Sequence, residues 1–464
     1  MGRRAAIARA GRLLVASACA AVIVIAVGGG GAGARASTGA GWSAPITLTT
    51  RYELGPTLAV DPRGDVLAAW VGGPPLPPTH FGPLLRAPNA FDRGHALYAD
   101  LGSLRPQSRG AGGRGFAAPV LLTDDSSFGG NDIGELPAGD VALSGSGVGY
   151  VAWLSYGTRR HAGRWMVSVE HGGRFARPRR LLTNGGYLLE LVSGADGPVL
   201  AVWERALTPL YTGFYYARLG PDGRLGHTVA ISNAAVDASG PPVVSVNDSG
   251  AIALAWLNGP FGGPDTLEAV VCDAAAHCVT TRSLKLFRRQ PPAPAAIAVA
   301  LDDAGQATVL SDGGSGEPGS VRAAVSSGGR PFTLLAAVPG AAAEPYAVPD
   351  GAAGTLALFD NKADSELAVS TLAPGAAEFG APRQLGFAVG EPPMLVSNLA
   401  GDFAVLGTLD GTLREFVVSG LGGGIGAPQR VIAATSVGID AAGDLIVIGG
   451  GAHLHGVFAE IRRA

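Results

Sequence analysis

The chain has 464 residues, of which 72 are glycine and 33 are proline, and 47 % are hydrophobic. This hydrophobic content excludes a wholly disordered chain, and so much glycine and proline excludes a helical bundle. The formal net charge is −3, from 34 basic and 37 acidic residues, and three cysteines are too few for a disulfide scaffold.

The N-terminal segment predicts an export signal. Residues 1–12 are basic, residues 13–27 form an apolar run, and an Ala-Arg-Ala sequence ends at Ala36. We therefore expect a signal peptide over residues 1–36, a short linker over residues 37–41, and a secreted or extracytoplasmic protein. The apolar run is shorter than the roughly 20 residues that span a membrane. An uncleaved N-terminal membrane anchor is the alternative, if the glycines that follow belong to the span.

Removal of the signal would make the protein more acidic. Residues 1–36 contain five of the 34 basic residues and no acid, so 29 basic and 37 acidic residues would remain, a net charge of −8. Nucleic-acid binding depends on a basic face that neutralises phosphates. Nucleic acid is therefore not an expected partner.

The remainder, residues 42–464, is built on one repeat. Each copy has a polar turn that ends in glycine and precedes an apolar run, and the copies follow one another at a period of roughly 50 residues, which is typical of a propeller. The turn glycines are Gly64, Gly147, Gly197, Gly250, Gly305, Gly354, Gly401 and Gly443.

Each repeat predicts four strands: one before the turn, one after it, an alternating third, and an outer fourth such as Phe175–Leu182 or Phe379–Gly386. The proline of the fourth segment suits an edge strand, which can lose one N–H. The last repeat stops after its third strand, whereas Trp42–Thr49 resembles a fourth strand with no strands before it. The sequence predicts an all-β, eight-bladed β-propeller closed by the N-terminal strand. Seven blades are the alternative, if one weak repeat is a loop.

The position six residues after the turn glycine divides the repeats into two groups. In the first four it is a tryptophan that we expect in the core of the repeat: Trp70, Trp153, Trp203 and Trp256. In the last four it is Ser311, Asp360, Gly407 and Gly449. One interpretation is an opened pocket flanked by Asp312, Asp360, Lys362 and Asp364; the other is a core repacked by its apolar neighbours.

An insertion over residues 72–115 lengthens the first repeat. Long loops in compact folds are either functional or disordered, so the insertion is interpreted as a binding lid or as a tolerated extension. Its candidate binding residues are His80, Arg86, Asp92, Arg93 and His95.

Cys272 and Cys278 are separated by five residues. In an oxidising compartment, two cysteines across a hairpin turn predict a disulfide. A metal site that includes His277 is the alternative, although two cysteines and one histidine fall short of four zinc ligands. Calcium loops and phosphate loops are also missing from the sequence, so no metal or cofactor is expected.

The turn glycine followed by tryptophan, together with the Ala-Pro outer strand, resembles the repeats of secreted bacterial β-propeller proteins, loosely the sialidase-like superfamily. The resemblance covers nearly all of residues 42–464, but the Ser-x-Asp-x-Gly-x-x-Trp boxes of sialidases are missing. We therefore expect an exported, monomeric, non-catalytic propeller that binds a glycan or a protein at the cell surface. The alternative is an extracellular carbohydrate-active enzyme, a sialidase-like glycoside hydrolase or lyase, which needs a carboxylate pair at the channel mouth. No catalytic residue is singled out.

Overall fold

The computed structural model describes the propeller region and leaves out the N-terminal segment and a number of loops. The predicted signal peptide and linker therefore lie outside the described residues. These residues are 42–43, 46–49, 52–73, 96–103, 116, 119–123, 140–155, 164–182, 186–208, 211–231, 242–258, 266–281, 284, 296–312, 321–351, 354–361, 366–386, 393–398, 400–409, 412–418, 429–431, 434–451 and 456–462.

Within these ranges the regular structure consists of 33 β-strands. In chain order the strands are β1 (Ile46–Thr49), β2 (Tyr52–Val60), β3 (Asp65–Gly73), β4 (Ala96–Ser103), β5 (Val120–Thr123), β6 (Asp140–Leu143), β7 (Gly149–Ser155), β8 (Arg164–His171), β9 (Arg174–Phe175), β10 (Arg179–Arg180), β11 (Tyr187–Ser193), β12 (Val199–Thr208), β13 (Tyr211–Arg218), β14 (Val229–Ala230), β15 (Val243–Val246), β16 (Ile252–Asn258), β17 (Thr266–Cys272), β18 (Cys278–Thr281), β19 (Ile297–Leu301), β20 (Gln306–Asp312), β21 (Val321–Ser327), β22 (Thr333–Ala337), β23 (Ala341–Pro349), β24 (Thr355–Asn361), β25 (Leu367–Leu372), β26 (Arg383–Gln384), β27 (Met394–Ser397), β28 (Phe403–Leu409), β29 (Thr412–Val418), β30 (Gln429–Arg430), β31 (Ser436–Ile439), β32 (Leu445–Gly451) and β33 (Gly456–Arg462).

The described strands form eight antiparallel sheets, numbered here in chain order. Sheets 1 to 7 contain β2–β5, β6–β10, β11–β14, β15–β18, β19–β22, β23–β26 and β27–β30, and sheet 8 contains β31–β33 together with β1. The first strand of each sheet contacts the first strand of the next, and β31 contacts β2. The first strands thus surround a central axis, which is the arrangement of a β-propeller.

The N-terminal strand completes the sheet formed by the C-terminal strands. β1 pairs antiparallel with β33, with Ile46 opposite Ala459, and Trp42 forms an isolated bridge with Arg462. Leu48 is buried in the same apolar cluster as Val457. The two ends of the chain therefore hold each other in one sheet.

The polar turns between first and second strands have a common geometry. The N–H of Gly64 donates to the carbonyl oxygen of Asp61 at 2.9 Å, and the Asp61 carboxylate accepts the N–H groups of Arg63 and Asp65. Gly64 has φ +80°, a backbone conformation that residues with a Cβ rarely adopt. The same carbonyl–glycine bond closes the turns that begin at Asn247, Asp302, Asn398 and Asp440.

The core lies between neighbouring sheets, so each second strand must be apolar on both faces. In β16, Ile252, Leu254 and Trp256 pack against sheet 3. Ala253 and Ala255, on the opposite face, pack against sheet 5. Alternation of large and small side chains therefore sets the spacing between adjacent sheets.

The outer strands are shorter than the sequence segments that are predicted to form them. Within the predicted segment Phe175–Leu182, Arg179–Arg180 pairs with the third strand as β10, and Phe175 pairs with it separately as the end of β9. Pro178 precedes this pair and lacks the N–H that a longer ladder would need. Phe379–Gly386 is shortened in the same way to Arg383–Gln384.

Side chains from neighbouring sheets hydrogen-bond the free edges of several first strands. The N–H of Leu301 donates to Ser245 Oγ at 3.0 Å, and the N–H of Leu58 donates to Ser436 Oγ at 3.3 Å. Backbone N–H and C=O groups left unpaired at a buried edge lower the stability of the fold. These bonds therefore stabilise the inner ring and also link its sheets.

Candidate functional site

The two ends of the ring are named here for their connections. The turn end carries the hairpins between first and second strands, and the loop end is where the second strands finish. His80, Arg86, Asp92, Arg93 and His95, the candidate residues of the insertion, lie outside the described residues. Lys362 and Asp364 do so too, so their proposed roles remain predictions.

Asp312 and Asp360 lie at the loop end, on sheets 5 and 6. The Asp312 carboxylate accepts the N–H of Ala296 at 3.0 Å and the N–H of Glu344 at 3.2 Å, so it joins the starts of two neighbouring first strands. Burial and the charge of Glu344 raise the pKa of the half-buried Asp360. Glu344 itself is exposed and has φ +48°. The structure thus brings Asp312 and Asp360 to one region, with Glu344 between the strands that carry them.

Residues next to three of the four positions without tryptophan are buried. Leu310, Phe359 and Ile448, each beside such a position, have no exposed surface. The four tryptophans are buried as well: Trp70 is 1 % exposed, Trp153 1 %, Trp203 7 % and Trp256 0 %.

Cys272 and Cys278 form a disulfide. They lie directly opposite each other on β17 and β18, with Cα atoms 3.9 Å apart. His277 Nδ1 is 3.1 Å from Asp273 Oδ2 in the same turn. Across the described part of the chain, no group of three or more histidine, cysteine, aspartate or glutamate side chains is arranged to hold a metal ion.

Asp140 and Glu190 are two carboxyl groups that the sequence analysis did not single out. Asp140 lies opposite Ala152 on β7 and Glu190 lies opposite Val202 on β12, in each case one residue before the repeat tryptophan. The two residues therefore occupy the same level of neighbouring first strands. The N–H of Leu191, next to Glu190, donates to the Asp140 carboxylate, which places the two close together.

The environment of this pair favours protonated carboxyl groups. Burial raises the pKa of Asp140 to about 7, although the N–H groups of Leu191 and Val141 lower it. Burial, and next the charge of Asp140, raise the pKa of Glu190 well above its usual range. Neighbouring carboxyl groups with raised pKa values are typical of acid–base sites.

A hairpin formed by β12 and β13 extends sheet 3 at the loop end. β12 has 10 residues, and its last four, Arg205–Thr208, are exposed. Trp203 stacks on Tyr215, with ring centroids 6.0 Å apart and planes 18° apart. On the neighbouring strand, Tyr187 packs edge-on against Trp165 at 5.5 Å. Tyr187 is 45 % exposed and Leu207 is 44 % exposed, which is unusual for large apolar side chains.

Gly213 keeps the surface of this hairpin flat. It lies opposite Arg205, and a Cβ at this position would be 3.2 Å from both Leu207 Cδ1 and Tyr215 Cε2. A side chain here would therefore displace the apolar groups on either side. The absence of one leaves Leu207 and Tyr215 as a continuous platform.

One acidic side chain lies beside Tyr187. Glu204 lies opposite Tyr187, and burial raises its pKa. We call Tyr187, Glu204, Arg205, Leu207 and Tyr215 the hairpin site. Glu190 lies on the same sheet, and Asp140 lies on neighbouring sheet 2. The aromatic run from Tyr211 to Tyr216, directly after the third repeat tryptophan, is the sequence signal that could have indicated it.

Comparison with known proteins yields distant matches among solved structures. The chain is similar to the Dos1 propeller, with 11 % identity and a TM-score of 0.49, over 91 % of this chain and 94 % of that one. It is also similar to a neuraminidase-like protein from flat-faced bat, with 10 % identity, a TM-score of 0.39, and coverage of 91 % and 94 %. A mutant of Aleuria aurantia lectin matches with 13 % identity, a TM-score of 0.35, and coverage of 63 % and 96 %.

No family model matches the chain, and no curated protein matches it. The solved structures are too distant to support a conclusion about ligand or activity. In the residues that the structure covers, there is no helix with the length and apolar character to cross a membrane.

Proposed function

We propose that the protein is an exported β-propeller of eight blades, one for each sheet, that binds a glycan at the hairpin site. The observation that carries the proposal is the exposed ring of Tyr187 directly opposite the carboxyl group of Glu204 on the next strand. The C–H faces of a sugar ring pack against aromatic side chains, and its hydroxyl groups hydrogen-bond to carboxylates. Tyr187 supplies the first kind of group, and Glu204, opposite it on β12, supplies the second.

The polarity of the site favours a glycan over an apolar protein surface. Protein interfaces of ordinary size have a core depleted of charged residues. Here Glu204 and Arg205 lie within the hairpin itself, and Asp140 and Glu190 are half-buried on the strands behind it. Convergent polar groups beside a small apolar area are the composition of a small-molecule or sugar site.

Export and ring closure belong to the same proposal. The disulfide of Cys272 and Cys278 fits an oxidising compartment. The pairing of β1 with β33 gives the closed ring that a monomeric propeller needs. Cleavage after residue 36 would release the protein a few residues before the strand that closes the ring.

A glycan array tests the proposal. We expect the purified protein to bind a defined subset of glycans, and Tyr187→Ser to weaken that binding about tenfold because it removes one aromatic contact. Leu334→Ser is the matched control, since Leu334 is 56 % exposed on the outer strand of sheet 5, away from the hairpin. A blank array with a folded protein, or equal binding by both variants, would refute glycan binding at this site and direct the search to a protein partner.

The carboxyl pair favours a second candidate function, hydrolysis or elimination of a bound glycan. Such reactions use one protonated acid and one ionised base. Burial raises the pKa of Asp140 to about 7, and burial and the charge of Asp140 raise the pKa of Glu190, so one proton can be held between the two carboxyl groups at neutral pH. Mass spectrometry of bound glycans would detect cleavage. Glu190→Gln should then lower turnover by about 10²–10⁴ while binding is retained. Intact glycans after prolonged incubation would leave the protein a binder.

A further inference from the structure

The turns at the opposite end of the ring lie in direct contact from sheet to sheet. A Cβ on Gly145, in the turn of sheet 2, would lie 2.2 Å from the carbonyl carbon of Asp196 in sheet 3. A Cβ on Gly194 would lie 2.4 Å from the carbonyl carbon of Asn247 in sheet 4. These distances are shorter than any van der Waals contact, so the backbones approach each other only because glycine is present.

Three aspartates connect successive turns in this contact zone. The N–H of Asp196 donates to Asp248 Oδ1 at 3.0 Å, and the N–H of Asp248 donates to Asp303 Oδ1 at 2.9 Å. A third bond joins the same turns, from Asn247 Nδ2 to the carbonyl oxygen of Asp302 at 3.0 Å. Sheets 3, 4 and 5 are therefore held in sequence by the carboxyl group of one turn and the backbone of the turn before it.

We propose that Asp196, Asp248 and Asp303 form a pH-sensitive clasp that joins sheets 3, 4 and 5 more tightly in mild acid than at neutral pH. The carboxyl groups of Asp248 and Asp303 accept these hydrogen bonds, and together with the carboxyl group of Asp196 they repel one another when all three are ionised. A protonated carboxyl group keeps an oxygen that accepts an N–H. Protonation of the central aspartate therefore removes repulsion without removing the hydrogen bond.

The titration of Asp248 agrees with this geometry. Burial, then the charge of Asp303, and more weakly that of Asp196, raise its pKa to about 6, although backbone hydrogen bonds lower it. Burial, and next the charge of Asp196, also raise the pKa of Asp303. Each member of the clasp thus acts on another across a sheet boundary.

The positive charges nearby do not neutralise the clasp. Arg63 lies close enough for Asp196 to raise its pKa slightly, but its guanidinium is paired with Asp61 at 2.7 Å. Arg218, on β13, donates to the carbonyl oxygens of Ser249 and Ala274.

The remaining titratable groups around the clasp are acidic or already paired. Asp273 and His277, in the outer turn of sheet 4, interact with each other at 3.1 Å. Asp302, beside Asp303, accepts the N–H groups of Gln306 and Gly354, and its pKa is raised chiefly by burial. Repulsion among the three aspartates is therefore the dominant charge effect at this point of the ring.

The direction of the pH effect follows from the raised pKa. An ordinary aspartate titrates near 3.8, and folded Asp248 titrates near 6. Between these values the folded protein binds more protons than the unfolded chain, so the free energy of unfolding falls as pH rises through this window. The stabilisation is complete below pH about 4 and is lost as the pH passes about 6.

Thermal unfolding of the full chain with the variant Asp248→Asn tests the clasp. Asparagine keeps the acceptor oxygen and cannot ionise, so we expect the variant to unfold about 1–2 °C above the wild type at pH 7.5. At pH 4.5 the difference should shrink, because the wild-type carboxyl is then protonated. Asp222→Asn is the control: Asp222 is exposed in an outer turn and pairs with Arg179 and Arg224, so its loss should not raise the unfolding temperature.

A second variant keeps the test decisive if Asp248→Asn disturbs the turn. Asp303→Asn removes the neighbouring charge and should also raise the unfolding temperature at pH 7.5 more than at pH 4.5. The clasp is refuted if neither variant is stabilised at pH 7.5, or if the stabilisation is the same at both pH values.

Discussion

At the scale of single residues, this propeller uses polar side chains to complete the backbone of its inner ring. Asp140, Ser245 and Ser436 each accept an N–H from the first strand of the next sheet. An inner strand is paired on one side only, so its free N–H groups need another acceptor. A buried polar residue on these strands is therefore explained first by structure, and Asp140 attracts functional interest because Glu190 lies beside it.

The close contact between neighbouring turns leads to a prediction for Gly194. Gly194→Ala places a Cβ 2.4 Å from the backbone of Asn247, and relief of such an overlap costs about 1–3 kcal/mol. We expect a lower midpoint in chemical denaturation with an unchanged slope.

A second glycine provides the comparison. At Gly380 a Cβ would come no closer than 3.6 Å to its nearest neighbour, the carbonyl oxygen of Thr371. Gly380→Ala should therefore leave the midpoint almost unchanged. If the two variants unfold alike, the turns do not form the tight contact described here.

At the scale of elements, the sequence predicts the inner strands better than the outer ones. A strand is predicted directly before each polar turn, and β15 (Val243–Val246) and β31 (Ser436–Ile439) lie there, because the Asn-x-x-Gly and Asp-x-x-Gly turns end them sharply. The outer strands are less predictable, since they are held by pairing on one side and interrupted by proline. β10 is reduced to two residues for this reason.

The carboxyl pair and the hairpin site could not be derived from the sequence alone. Glu190 reaches the level of Asp140 through a register shift in β11 between Leu188 and Glu190, and a bulge of this kind has no clear sequence signature. The exposure of Tyr187 depends in turn on how far β12 extends beyond the ring. Both features depend on pairing between distant segments, which a local repeat pattern does not specify.

At the scale of the whole molecule, ring closure depends on one short strand. Leu48 on β1 is 8 % exposed and packs in the cluster that contains Val457 and Ala459. Leu48→Ala should lower the free energy of unfolding by about 2 kcal/mol, the lower part of the range for buried leucines. Thr47, the exposed neighbour on the same strand, provides the control variant Thr47→Ala, and an equal effect of the two would contradict closure by β1.

The two ends of the ring have different roles in this account. The turn end joins the sheets through Asp196, Asp248 and Asp303, and the loop end of sheet 3 presents the hairpin site. A change of pH that loosens the clasp and a ligand that binds the hairpin site would therefore both act on sheet 3. The unfolding experiments and the binding experiments can nonetheless be interpreted separately, because their variants lie at opposite ends.

Hydrogen exchange with and without the glycan selected by the array tests the central claim most directly, because it locates the bound ligand on the intact protein. The account predicts protection of amides in Tyr187–Ser193 and along the hairpin formed by Val199–Thr208 and Tyr211–Arg218. Protection confined to the turn end, or to sheets 5 and 6 around Asp312 and Asp360, would contradict it and would move the glycan site away from the hairpin.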